Sequence, residues 1–294
     1  MLANTPYASA TVGILRGNLH KPGAFLDQLV DFVAAELPAW RSRTDRKQET
    51  SETILTSQLC AHLHSAARHA PGWDILQFRV EEADERQRGR KLDLVAAPSG
   101  TAITIEGRRY SDFDTLLPIE CKRLPTPKDA SRDEREYVFC GKGSTGGIQR
   151  FKAGHHGANH HLGAMISYVQ AEGCATWIER VNGWIDGLAG KEPGWTANDR
   201  LKLQAGNSVG RLTTLRSSHS RQQNLADIEL RHLWIEMNTS FTRPIFMSAT
   251  SAPRHSPSHP FPRQRCGLPH PIRQLCFVDL IVLVDVGVAH RLLF

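Results

Sequence analysis

The chain has 294 residues, room for one large domain or one domain with an appendage. Its net charge of +6 and pI of about 9.1 permit a polyanionic partner without identifying one, because the arginines are spread along the chain and form no basic tail. Six widely spaced cysteines (60, 121, 140, 174, 266 and 276) contain no CxxC pair, which excludes a disulfide framework and points to a reducing cytoplasm. The opening residues lack a basic region followed by an apolar core, so no secretory signal is expected. The apolar run Leu275 to Ala289 is short and carries Asp279 and Asp285; it fails as a bilayer span and reads as a buried strand.

In chain order, residues 1 to 20 show no period. Phe25, Leu29, Phe32, Val33 and Leu37 recur at helical spacing, with Pro22 suited to a first turn. A charged connection over 40 to 50 leads to a second helix, expected from a Ser51 cap to about His69, with Glu52, Leu55, Leu59, Leu63 and Ala66 on one stripe. Glu52 therefore points the same way as the buried side chains, although an acid in a first turn also suits the helix dipole. Glu49 is the weaker substitute. Pro71-Gly72 ends the helix, and residues 73 to 82 alternate through Leu76, Phe78 and Val80 as a strand. After a polar turn, Leu92 to Ala97 is the next strand, and Pro98-Ser99-Gly100 predicts a hairpin to 101–106.

The strand Leu116 to Leu124, closed by Pro125 and Pro127, sets Ile119 and Cys121 on one side and Glu120 and Lys122 on the other. Asp93 interrupts the apolar run 91–97, where a charge is costly unless a cation or metal pairs with it. Two carboxylates on adjacent strands and a nearby lysine can hold a divalent metal and a polarised water, as phosphodiester cleavage requires. An E-x-K pair on an exposed strand face is also a common surface ion pair.

Beyond this strand, Ser131 to Glu134 matches a capping box, so a short helix through Tyr137 and Phe139 is expected. A glycine-rich loop, 141–147, lacks the ending of a Walker motif and leads into a helix carrying Gln149, Arg150 and Lys152 on an exposed surface. A strand over 164–169 follows, then a helix over 174–188 with Trp177, Val181, Trp184 and Leu188 on one face. Residues 190–208 read as loop, with two strands at 211–216 and 228–237. Between Arg243 and Arg273 the chain is rich in Pro, His, Ser and Arg, the composition of a loosely attached tail.

The order of helix with Glu52, strand, strand with Asp93, strand with Glu120-Cys121-Lys122, helix with Gln149 and strand resembles the core of the PD-(D/E)xK nuclease superfamily, over about residues 50 to 170. The resemblance implies an α/β fold, a central mixed β-sheet flanked by helices. Around a nuclease-like domain over 51–240, helical periodicity gives an N-terminal helical extension over 1–50 and composition a Pro/His/Arg-rich tail with a terminal apolar segment over 241–294. Asp93 and Glu120 would then ligate Mg²⁺, with Mn²⁺ a substitute, and the main-chain carbonyl of Cys121 and the Glu52 carboxylate would be further ligands. Lys122 would orient or deprotonate the attacking water, and Gln149 is similar to a glutamine or basic residue that some members carry on the following helix. Two departures are Leu92 where many members have proline, and no tyrosine after Gln149 at the RecB-like interval.

The implied activity is metal-dependent hydrolysis of DNA by a cytoplasmic enzyme with no membrane association. A homodimer and partner proteins of a defence operon are the companions the family suggests, in a restriction or anti-phage role. The alternative is a nucleic-acid-binding or scaffolding subunit that has the fold and does not cut. Elsewhere, His155, His156, His160 and His161 invite a zinc reading, but no cysteine is spaced to join them, and one of them with Arg150 and Lys152 could instead meet DNA phosphates. Ser218-His219 lacks a nucleophile-elbow context, and His232 reads as a satisfied histidine.

Overall fold

A computed structural model describes residues 24–84, 89–129, 132–143, 145–222 and 224–238. All of them fall within one unit, Met1–Phe241. Pro22, the tail and the apolar run 275–289 lie outside the described residues.

Seven strands form one mixed sheet. In chain order they are β1 (Leu76–Ala83), β2 (Lys91–Pro98), β5 (Leu117–Leu124), β6 (Leu162–Val169), β7 (Lys202–Asn207), β8 (Leu212–His219) and β9 (Ile228–Glu236), and in space β1-β2-β5-β6-β9-β8-β7. β5, β6 and β9 run parallel; every other pairing is antiparallel. Helices α1 (Phe25–Ser42) and α2 (Glu52–His69) cover one face, and α3 (Gly147–Lys152) and α4 (Cys174–Leu188) the other. The central strand β6 is buried along its whole length, as a parallel strand covered on both faces must be. Its alternation divides the core: Ala164, Ile166 and Tyr168 face α1 and α2, while Met165 and Val169 face α3 and α4. α1 contributes Leu29, Val33, Leu37 and Trp40 to the same core as Leu55, Leu59 and Leu63 of α2, so the first helix is part of this layer.

Several expectations are corrected. Ser51 precedes α2, but its side chain makes no capping hydrogen bond. Val80 is exposed, whereas Leu76 and Phe78 are buried. The strand after Gly100, β3 (Ile103–Ile105), pairs with β4 (Arg108–Tyr110) and not with β2. The reason is the two-residue turn Glu106-Gly107, both at positive φ (50° and 81°), which supplies β3 with a nearer partner. Of the helix expected after Ser131, a residue outside the described ones, residues 134–138 form a turn and no helix. The carbonyls of Glu136, Tyr137 and Val138 accept the N–H groups of Gly147, Ile148 and Gln149, satisfying the orphan donors that open α3. They are therefore unavailable for a helix of their own. β7, inside a stretch read as loop, is exposed at every position and carries no apolar pattern. Lys152 is buried and paired with Asp199 at 2.5 Å instead of lying on an exposed surface.

Candidate active site

The site forms where two strands part. β2 pairs with β1 as far as Lys91 and β5 with β6 as far as Leu124, yet the β2–β5 ladder spans only Leu94↔Ile119 to Ala96↔Leu117. Beyond it, the N–H groups of β5 that face the gap need other acceptors. Two carboxylates provide them: Asp93 Oδ2 accepts from Cys121 N at 2.8 Å and Glu52 Oε2 from Arg123 N at 3.0 Å. The gap thus draws an acid from β2 and an acid from the start of α2 onto one short length of β5.

Lys122 lies at the centre. Its Nζ is 2.8 Å from Glu120 Oε1, 3.4 Å from Glu52 Oε1 and 3.6 Å from Asp93 Oδ2, and it donates to the Cys121 carbonyl at 3.0 Å. Glu120 is wholly buried and Lys122 nearly so. A second cation, Arg150 of α3, meets Glu120 Oε1 at 2.6 Å, and His156 Nε2 is 3.2 Å from Glu120 Oε2. Three carboxylates thus face two permanent cations, leaving the cluster one negative charge in excess when all are ionised.

The three ionisable groups at the centre respond differently to this setting. Burial pushes the Asp93 carboxyl up to about 6, reinforced by the charge of Glu120 and only partly offset by Lys122 and the Cys121 N–H. Burial acts the same way on Glu120, but Lys122, His156 and Arg150 outweigh it and hold this carboxyl below the usual range. Burial would lower the Lys122 ammonium; Glu120, Asp93 and Glu52 reverse that and raise it well above its ordinary value. Lys122 is therefore charged at neutral pH.

Asp93, Glu120, Lys122 and Glu52 are brought together. Gln149 is not among the groups gathered around Lys122. Its Oε1 accepts from Cys140 N at 3.1 Å and Gly146 N at 3.2 Å, fastening the glycine loop to α3, and it lines a separate cavity of about 260 Å³ with Phe139, Lys152 and Trp195. The side chain of α3 that reaches the acids is the next one, Arg150. Arg150 and His156 were legible only as neighbours of the motif, since nothing in their spacing announces a contact with Glu120. A cavity of about 400 Å³ opens beside the cluster, lined by Asp93, Arg90, Lys91, Arg150, His155 and His156 among others.

For a metal, the donor chemistry and the arrangement have to be weighed separately. Asp93, Glu120 and the Cys121 carbonyl are oxygen donors of the kind magnesium takes, and Glu120 Oε2 is buried without a hydrogen bond, His156 lying close but out of line. Glu52 departs from the expected ligand set, because its two oxygens are engaged by Lys122 and Arg123 N. Among the described residues no group of three or more His, Cys, Asp or Glu side chains is arranged to hold a metal ion. The Lys122 ammonium fills the space between the acids. Asp93 and Glu120 therefore fit magnesium in donor chemistry but, with Lys122 between them, not in arrangement.

The histidine-rich stretch does not converge on one point. His156 turns to Glu120, and His160 is buried with Nε2 2.9 Å from the Thr115 carbonyl. His219 does meet a serine, but it is Ser217, at 2.6 Å, with Asp199 2.6 Å from the other ring nitrogen. Both Ser217 and His219 are buried, and Ser217 also contacts His232 at 2.7 Å, so this Asp-His-Ser set belongs to the core. Among the described residues no helix is long and apolar enough to cross a membrane. Comparison with family models, with curated proteins and with solved structures returned no match.

Proposed function

We propose that the chain is a metal-dependent nuclease of the PD-(D/E)xK type, hydrolysing phosphodiester bonds in DNA at the gap between β2 and β5. The observation that carries this reading is the convergence of Asp93, Glu120 and Glu52, from two strands and a helix, within 3.6 Å of one lysine ammonium. The order α2, β1, β2, β5, α3, β6, with antiparallel pairing up to β5 and a parallel β5–β6 pair, supports a restriction-endonuclease-like core. A restriction or anti-phage role follows from that resemblance.

In this reading Asp93 and Glu120, with the Cys121 carbonyl, would hold Mg²⁺ or Mn²⁺, which would supply a polarised water and neutralise charge on the phosphate. Lys122, charged because three acids surround it, donates to a phosphate oxygen and stabilises the charge developing there. Glu52 holds the β5 main chain at Arg123, and Arg150 keeps Glu120 ionised and oriented. Arg90, Lys91 and Arg150 line the adjoining cavity together with Glu81 and Asp93, and the three cations are the groups there that suit a phosphate backbone.

The test is purified protein with plasmid DNA and Mg²⁺, then EDTA, beside Lys122→Ala. Cutting that needs the metal and falls by at least about a hundredfold in the variant is the expected result. The central position of Lys122 favours one second reading, a structural ion cluster in a protein that binds nucleic acid without cutting it. DNA binding with no cleavage under either metal is the outcome that would select it.

A further inference from the structure

A second charged cavity lies away from the acids. It has a volume of about 420 Å³ and is lined by Arg41, Arg43, Arg46 and Arg211 with Gln48 and Met237 among the remainder; none of its described lining residues is acidic. Four guanidinium groups around one hollow repel each other, and the arrangement is held by the main chain more than by counter-charges. Arg41 donates to the carbonyls of Glu236 at 2.5 Å and Asn238 at 3.4 Å, and Arg211 to the carbonyl of Asn238 at 2.6 Å. Arg46 lies 5.1 Å over the Trp40 ring and donates to the Lys47 carbonyl, while its buried Nε has no hydrogen-bond partner. Arg43 is bonded to the neighbouring Asp45, and the charge of Glu236 acts on Arg41. Burial lowers Arg41, the charges of Arg211 and Arg46 lower it further, and Glu236 acts in the opposite direction.

The place of this cavity in the sheet suggests what it takes. Glu236 is in register with Val169, and Val169 with Leu124, two residues past Lys122 on β5. Two interstrand steps are about 10 Å, so Arg41 and Arg211, bonded to the main chain at Glu236, lie at the same end of the strands as the acids. The connection 43–51 runs from this cavity straight to Glu52. Forked guanidinium groups are suited to phosphate oxygens.

We propose that the Arg41, Arg43, Arg46 and Arg211 cavity holds backbone phosphate of a nucleic-acid strand a few nucleotides from the bond at Lys122. The choice of a strand over a free phosphate compound rests on the nuclease reading; the anion site itself does not.

The test uses the full chain in EDTA, so that nothing is cut, and a labelled DNA duplex titrated at several salt concentrations, with inorganic pyrophosphate as a separate ligand. Arg46→Gln should weaken DNA binding about tenfold at low salt and reduce the slope of log affinity against log salt by about 0.9, the loss of one phosphate contact. Arg46→Lys should keep most of that slope. Arg43→Gln, whose exposed side chain is bonded to Asp45, is the second variant should Arg46→Gln melt early. Unchanged DNA affinity and salt slope in Arg43→Gln, and in Arg46→Gln with normal melting, would overturn the site. Loss of pyrophosphate binding with DNA binding intact would overturn the strand as occupant. The two proposals fail separately. Arginine variants that bind DNA weakly, in a protein whose wild type never cuts, would leave the cavity standing and remove the nuclease.

Discussion

At the residue scale the chemistry turns on the opposed behaviour of two carboxyls a few ångströms apart. Glu120 stays ionised throughout the neutral and mildly acidic range, while Asp93 titrates near 6. In metal-free protein the Asp93 carboxyl carbon should therefore show an NMR titration midpoint at about 6. Magnesium affinity by calorimetry should fall about tenfold per pH unit below that, since a proton competes for the ligand. A midpoint near 4 would mean that burial and Glu120 do not act on Asp93 as the geometry requires. The sign for folding is the reverse of the usual carboxylate case. A carboxyl raised from 3.8 to about 6 costs stability as pH rises through that window, and lowering the pH returns it. Glu120 opposes this, with a contribution present above its unfolded value and lost as pH falls.

Among the elements, the glycine loop and α3 fix where Arg150 points. A Cβ on Gly146 would collide with the main chain of Phe139, and one on Gly147 would meet Met165 Cε at 2.5 Å and the Tyr137 carbonyl at 2.9 Å. At Gly146 and Gly147 two segments of chain approach closely, which is a packing requirement; Gly141 and Gly143 meet only ordinary contacts. Gly146→Ala should destabilise the fold by about 1–3 kcal/mol, the usual cost of overpacking, read as a lower urea midpoint. Because α3 carries Arg150, the same variant should weaken cutting without touching any group beside Lys122. An unchanged midpoint would show that the loop can move aside at little cost.

At the scale of the whole molecule, a hydrogen-bonded chain runs through the core on the α4 side of the sheet. Asp199 meets His219, His219 meets Ser217, Ser217 meets His232, and His232 meets Tyr137, at 2.5–2.7 Å, while Trp234 Nε1 donates to the Tyr137 oxygen at 2.9 Å. If Asp199 is ionised and both histidines neutral, every proton has one place. Tyr137 donates to His232 Nδ1, His232 Nε2–H to Ser217, Ser217 to His219 Nε2 and His219 Nδ1–H to Asp199. Burial lowers both histidines, His232 strongly. A histidine held neutral contributes stability above its unfolded value of 6.5, and loses it as pH falls through and below that value. Each should cost up to about 1.4 kcal/mol per pH unit there, measured as the decline of the urea midpoint from pH 7 to 5. His232→Phe should flatten that decline. A midpoint that rises over the same interval would contradict the proton arrangement.

The periodicity of residues 25–37 determined a helix and the apolar run 164–169 a strand, since patterns of that length fit few alternatives; that the strand is covered on both faces was decided by the fold. Asp93 and Glu120-Cys121-Lys122 stood out because charges inside apolar strands are expensive unless partnered. Local sequence did not determine that β2 and β5 part beyond the Leu94–Ile119 pair, that Glu52 closes the opening by taking Arg123 N, or that Arg150 and His156 press on Glu120. Nor did it place Gln149 in its loop, pair β3 with β4, or keep residues 134–138 from forming a helix. Those outcomes depend on which main-chain donors and acceptors remain unpaired once the sheet has formed, and that is settled only when distant segments meet.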